Sequence, residues 1–126
     1  MISFIIPTLN EETTIEKTLK NIKEFSLDKE IIVSDGGSKD RTTEIAKRFT
    51  DKVLVHSKKE RQNIAGGRNS GAKEAKGEFV VFVDADVLIP NINSLFDIGQ
   101  AHKYASYNSS LLNIANIIFS SQITSG

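Results

Sequence analysis

A chain of 126 residues is long enough for one domain that buries about two-thirds of its unfolded surface, so no disulfide or metal staple is required for folding. It contains no cysteine, which excludes a disulfide framework and a thiolate metal site and fits a reducing compartment. Sixteen Lys and Arg balance sixteen Asp and Glu, so net charge points to no nucleic-acid or acidic-membrane partner.

Ile2 to Ile6 is an apolar run stopped by Pro7 and predicts a buried first strand. The following turn, Pro7 to Thr13, leads into a helix with Asn10 as N-cap and Glu11 and Glu12 in its first turn. Ile15, Leu19, Ile22 and Phe25 recur at helical spacing and give that helix one apolar stripe to lay on a sheet. Glu30 to Ser34 predicts a second strand. Behind it, Asp35-Gly36-Gly37-Ser38 lets backbone approach a ligand or adopt positive φ, and Ser38 or Asp40 caps a helix beginning near Thr42.

Lys52 to His56 predicts the third strand, followed by an exposed basic loop from Ser57 to Gln62. Residues 39–76 carry eleven Lys or Arg against five Asp or Glu, a local excess that suits a solvated helix face or an anionic substrate. Ile64 to Lys76 predicts a helix rich in glycine and alanine. Each glycine weakens a helix by roughly 1 kcal/mol relative to alanine, so close packing or special backbone geometry is expected at Gly66, Gly67 and Gly71. The apolar run from Glu78 to Val83 predicts the next strand, and the alternation of strands and helices predicts a parallel sheet with right-handed crossovers. Past Pro90, short helices are expected at Asn93 to Gly99 and Tyr104 to Phe119. The apolar segment Leu111 to Phe119 is too short to span a membrane. No secretory leader precedes the first strand, which makes the cytoplasm, or the inner face of a membrane, the expected location.

The strand from Glu78 ends in Asp84-Ala85-Asp86. In a parallel sheet, ligands bind at the carboxyl ends of the strands, and two carboxylates one residue apart are suited to a hard divalent ion such as Mn²⁺ or Mg²⁺, with phosphate and water completing its shell. Ala85 between them leaves room for a ligand. Taken alone, an Asp-x-Asp is more often a solvated turn. His56 and His102 have no partners at metal-site spacing.

Four strand-end loops lie in order: Pro7-Thr8-Leu9-Asn10-Glu11, Asp35 to Thr42, Gly67-Arg68-Asn69-Ser70-Gly71 and Asp84-Ala85-Asp86. Over roughly residues 1–90 they resemble the nucleotide-binding half of family 2 glycosyltransferases. The resemblance implies a GT-A fold, a three-layer α/β/α sandwich around a mostly parallel sheet. Residues 1–126 then form a single domain, with the nucleotide-sugar half at 1–90 and incomplete acceptor-side helices at 91–126. It further implies that Pro7, Thr8, Leu9 and Glu11 hold the base and ribose of a nucleotide-sugar, UDP- or GDP-linked, and that Asp35 bonds the base edge. Arg68 would lie near the nucleotide, Asp84 at the ribose beside Ala85, and Asp86 on the metal. For Asn10 and Asp40, helix capping is the favoured role.

Inverting members of such a family need a general base, usually a carboxylate well downstream of the acid pair, and no Asp or Glu occurs after Asp97. The base is therefore not identifiable. An incomplete chain is the favoured account; an already ionised acceptor such as a lipid phosphate, or nucleotide-sugar binding without turnover, are the others. The acceptor, whether sugar, lipid phosphate or protein, is left open. A nucleotidyltransferase would need a Gly- and Arg-rich loop after the first strand, and a dinucleotide oxidoreductase a Gly-x-Gly-x-x-Gly there. Neither is present.

Overall fold

The computed structural model describes residues 1–56 and 64–96. The expected Ser57 to Gln62 loop and the Tyr104 to Phe119 helix lie outside these residues, as does the second half of the expected Asn93 to Gly99 helix. Strands β1 (Ile2–Thr8), β2 (Lys29–Asp35), β3 (Lys52–Val55) and β4 (Phe79–Phe82) form one sheet in the order β3-β2-β1-β4, every neighbouring pair parallel. Helices α1 (Ile15–Lys23), α2 (Thr42–Ala46) and α3 (Ile64–Glu74) make the crossovers, and a 3-10 helix spans Ile92–Phe96.

β-strand alternation divides the core into two layers. Phe4, Ile6, Ile31, Val33, Val81 and Val83 face α1 and α2, where Ile15, Leu19, Ile22, Ile45 and Ala46 meet them. Ile5, Ile32 and Phe82 face the other way, toward Ala72 of α3 and Ala75 just past its end. The result is the three-layer α/β/α sandwich expected. Phe4 and Phe25 meet edge to face with ring centroids 5.4 Å apart, which ties α1 onto the central strand.

The helical glycines serve close packing. Among the described glycines only Gly37 has a left-handed φ, at 100°, while a Cβ on Gly71 would lie 2.3 Å from Ile5 Cγ2 and one on Gly67 3.2 Å from Pro7 Cβ. α3 therefore sits on β1 at a distance only glycine permits.

At the amino end of the sheet, Glu30 binds three separate elements. Its carboxylate accepts from Ser3 Oγ of β1, from Lys52 Nζ of β3 and, at 2.6 Å, from the N–H of Lys76. Burial by itself raises this carboxyl, but the donors from Lys52, Ser3 and Lys76 outweigh it and hold the pKa down from 4.5 to about 2. Among the described residues no helix is long and apolar enough to cross a membrane.

Two sequence expectations are corrected. Asn10 does not cap α1: that helix begins at Ile15 behind Thr14, and Asn10 sits in the left-handed region at φ 53°, with Glu11 and Glu12 in a turn ahead of the helix. The turn is closed by the Glu11 carbonyl, which accepts from the N–H groups of Thr14 and Ile15. The N-cap position of α2 is Arg41, whose side chain makes no cap bond, and Asp40 serves the helix from one residue earlier. Its Oδ1 accepts the N–H of Thr42, the first helical residue, at 3.0 Å.

Candidate functional site

Because all four strands are parallel, their carboxyl ends form one rim, and the first, second and fourth loops picked out from the sequence emerge there; the third, Gly67 to Gly71, is not a loop but lies inside α3, and Arg68 reaches the rim from that helix. Thr8 and Asp35 are register partners at the last rung of β1 and β2. Asp35 is 0% exposed, and protein donors fill its carboxylate. Oδ1 accepts from Thr8 Oγ1 at 2.7 Å and Ser38 Oγ at 2.6 Å, while Oδ2 accepts from the N–H groups of Gly37 at 3.0 Å and Ser38 at 2.7 Å.

The first and second loops are joined by reciprocal hydrogen bonds. Asn10 N–H donates to Ser38 Oγ at 2.8 Å, and Asn10 Oδ1 accepts from Lys39 N–H at 2.9 Å. Glu11 N–H donates to Thr42 Oγ1 at 2.8 Å, and Glu12 N–H to Asp40 Oδ2 at 3.2 Å. This explains the conformation of Asn10, whose short amide side chain tolerates positive φ and bridges the gap between loops. The two loops are thus tied to each other.

On the opposite side of β1, Arg68 projects from α3 to the acid pair. Its Nη2 donates to Asp84 Oδ1 at 3.2 Å, and its guanidinium carbon lies 5.8 Å from the centroid of the Phe82 ring. Arg68 Nε is buried without an acceptor among the described residues. Asp84 and Asp86 lie just past β4, in the turn closed by Val87 N–H on the Asp84 carbonyl at 3.0 Å. Asp84 is half exposed and Asp86 exposed, whereas Ala85 between them is buried. Leu9 is exposed on the rim and Pro7 half-buried.

Negative charge gathers here. Burial, then the charge of Asp86, raises the Glu11 carboxyl above the usual range; the Thr14 hydroxyl opposes this, and Asp40 and Asp84 add to it. Glu11, Asp84 and Asp86 therefore share one field, with Arg68 as the counter-charge paired to Asp84. Among the described residues no three acidic or histidine side chains form a complete metal cage.

The model of glycosyl transferase family 2 matches residues 3–97. The chain belongs to glycosyl transferase family 2. A family relative, the 4,4'-diaponeurosporenoate glycosyltransferase of Staphylococcus haemolyticus, is 36% identical over 110 residues, which cover 84% of this chain and 29% of that protein. Among family structures, S. aureus TarS 1-349 in complex with UDP-GlcNAc superposes with a TM-score of 0.69 at 29% identity, covering 83% of this chain and 32% of that one. The mannosyltransferase PcManGT of Pyrobaculum calidifontis, in complex with GDP-Man and Mn²⁺, gives 0.67 at 31% identity, covering 79% and 31%. The chain spans under a third of each of these proteins. Its fold is the GT-A fold of these family members.

Ser38 and Thr42, both within the second loop motif, support the loops. Other residues that build the site have no motif signature: Phe82 lies under Arg68, and Thr18 and Asn21 of α1 bond the backbone beyond β4. One signal was available for Thr18: it sits beside the apolar stripe of α1 and so is placed to be buried with it. His56, assigned no role from sequence, lies on the rim, with its N–H on the Asp35 carbonyl at 2.9 Å and its ring Nε2 3.2 Å from Ser34 Oγ.

Proposed function

We propose that this chain is the donor-binding part of an inverting, metal-dependent glycosyltransferase that moves a sugar from a nucleoside-diphosphate carrier to an acceptor. The observation that carries this reading is the meeting of Arg68 with the acid pair on the same rim as the Thr8–Asp35 rung. A nucleoside contact and an anion-handling centre then stand side by side, as a nucleotide-sugar requires. In this reading Pro7, Thr8, Leu9, Glu11 and Asp35 take the base and ribose, Asp84 and Ala85 the ribose side, and Arg68 the nucleotide. The buried, unpaired Nε of Arg68 favours an anionic ligand, because a donor without an acceptor is costly.

Asp86 would hold the divalent ion, Mn²⁺ or Mg²⁺. The donor set fits: exposed hard-oxygen carboxylates, with a third carboxyl already raised by their field, favour a cation. Such an ion supplies Lewis-acid stabilisation of the departing diphosphate. Arg68 supplies a second positive charge from the protein, and the joined first two loops fix the nucleoside end of the donor. The similar structures carry UDP-GlcNAc and GDP-Man, which supports a nucleotide-sugar and leaves uridine and guanosine as the two bases to test.

Donor binding without turnover is the second reading. Calorimetric titration of the chain with UDP and GDP, with and without Mn²⁺, tests the donor site. Metal-dependent binding of one nucleotide that disappears in Asp86→Ala is expected; failure to bind either nucleotide sinks both readings. Sugar transfer by the full-length protein separates the two.

A further inference from the structure

Helix α1 and the chain leaving β4 run side by side and are joined by directed polar contacts. Thr18 Oγ1 donates to the carbonyl of Ala85 at 2.7 Å. Asn21 pairs both ends of its amide with the backbone of Ile89: Nδ2 donates to the carbonyl at 3.1 Å, and Oδ1 accepts the N–H at 2.6 Å. Farther along, Asn93 Oδ1 accepts the Ser26 N–H at 2.8 Å. The strap from Ala85 to Asn93 thus follows α1 and the residues just after it, from Thr18 to Ser26, with Thr18, Ala85 and Ile89 all buried.

Apolar packing of Ala85 and Ile89 against α1 brings the strap to the helix but does not choose its rotation. Hydrogen bonds to named carbonyls do. Ala85 is the residue between the two acids, so the direction of its carbonyl sets the Ala85–Asp86 peptide plane, from which Asp86 projects. The turn's own bond, Val87 N–H to the Asp84 carbonyl, closes the loop without fixing it to the rest of the rim. Ligand groups must be held to roughly 0.5 Å to take an ion well, and this is the work of the groups behind them.

We infer that Thr18 and Asn21 are positioning residues that hold the Asp84-Ala85-Asp86 turn in its ion-accepting shape, acting through the backbone of Ala85 and Ile89. The inference rests on the donor-site reading above.

The test uses the full chain and three variants. Thr18→Val keeps the side-chain volume and removes the donor; Thr18→Ser keeps the donor; Asn21→Ala, on the half-buried edge of the helix, carries the same expectation should Thr18→Val not fold. Mn²⁺ is titrated at saturating nucleotide, and nucleotide affinity is measured separately without metal. Thr18→Val and Asn21→Ala are each expected to weaken Mn²⁺ on the order of tenfold, to weaken metal-free nucleotide by less than they weaken the ion, and to speed amide hydrogen exchange at Ala85 to Ile89. Thr18→Ser should restore the ion affinity. A folded Thr18→Val or Asn21→Ala that takes Mn²⁺ as the parent does overturns the positioning role and leaves the donor site standing. A parent chain whose nucleotide binding ignores Mn²⁺ overturns the metal assignment, and the positioning role with it.

Discussion

Arg68 Nη2 lies 3.2 Å from Asp84 Oδ1, so the cation on α3 is paired with the first acid of the strand-end pair before any ligand arrives. With about two-fifths of Arg68 and half of Asp84 exposed, the pair adds little to stability. Its removal should register in binding. Arg68→Ala is expected to weaken UDP or GDP at least tenfold, about the loss of a charge-assisted hydrogen bond, with the melting temperature nearly unchanged. Arg68→Lys should recover part of the affinity, since it keeps charge but loses the planar fork. Equal affinity in parent and Arg68→Ala, by titration calorimetry, would remove Arg68 from the site.

Asp86→Asn separates ion binding from folding. Loss of the Asp86 charge removes a source of the raised Glu11 carboxyl, so the Glu11 pKa should fall toward its ordinary value. A raised carboxyl pKa gives stability that is complete below the unfolded pKa and lost as pH rises through the folded one. At neutral pH without metal, the variant should therefore melt no lower than the parent, while Mn²⁺-dependent nucleotide binding disappears. Thermal melting with and without Mn²⁺ reads both effects; a Mn²⁺-induced rise in melting temperature that persists in the variant contradicts the assignment.

Asp35 shows where side-chain chemistry decides. In Asp35→Asn, the amide oxygen can keep the N–H donors of Gly37 and Ser38, and the amide nitrogen can donate to the Thr8 and Ser38 hydroxyls, which turn to accept. This variant should fold with a loss of about 1 kcal/mol. Asp35→Ala leaves two N–H groups and two hydroxyls without their acceptor, and should lose about 3 kcal/mol or more. Urea unfolding of the two variants measures the difference. Comparable losses would mean that water replaces the carboxylate and that the buried network is not what holds the loops.

How much of this was legible in the sequence depends on the range of each interaction. β1, β2 and β4 follow from apolar runs, and the rim from their parallel order, because period and turn chemistry are local signals. Asp84, Asp86 and Arg68 were placed through the family resemblance, and the structure brings Arg68 and Asp84 together. Asn10 was assigned to capping because its composition fits both a cap and a left-handed bridge; only the position of Ser38 and Lys39 decides between them. Thr18 to Ala85 and Asn21 to Ile89 span 67 and 68 residues, and single polar contacts at that range leave no periodic trace.

Glu30 was likewise unreadable, since Ser3, Lys52 and Lys76 come together only when the sheet forms. Its lowered pKa gives a pH signature. A depressed carboxyl contributes stability present above the unfolded pKa of 4.5 and lost as pH falls through the folded value of about 2. Glu30→Gln should therefore lose stability at neutral pH, on the order of 1–2 kcal/mol because half-exposed Lys52 can turn to water while Ser3 and the Lys76 N–H cannot. It should also flatten the fall in stability between pH 4.5 and 2. Denaturant unfolding across that range is the measurement, and parallel pH profiles for parent and variant would contradict the role of the Glu30 hydrogen bonds.

The packing of α3 on β1 sets two opposing effects against each other at Gly71. Alanine gains helix propensity of about 1 kcal/mol over glycine. Its Cβ would lie 2.3 Å from Ile5 Cγ2, on a fully buried side chain of the central strand, so β1 and α3 must separate or Ile5 must leave its rotamer. Overpacking of this kind costs about 1–3 kcal/mol, and a contact that short belongs at the upper end. Gly71→Ala is expected to be destabilised by about 1–2 kcal/mol net. Since Arg68 rides on the same helix, nucleotide affinity should fall with it. Ile5→Ala removes the clashing methyl, so the double variant should be less destabilised than the two single losses added together. Additive losses in urea unfolding would show that Gly71 has some other reason to be glycine.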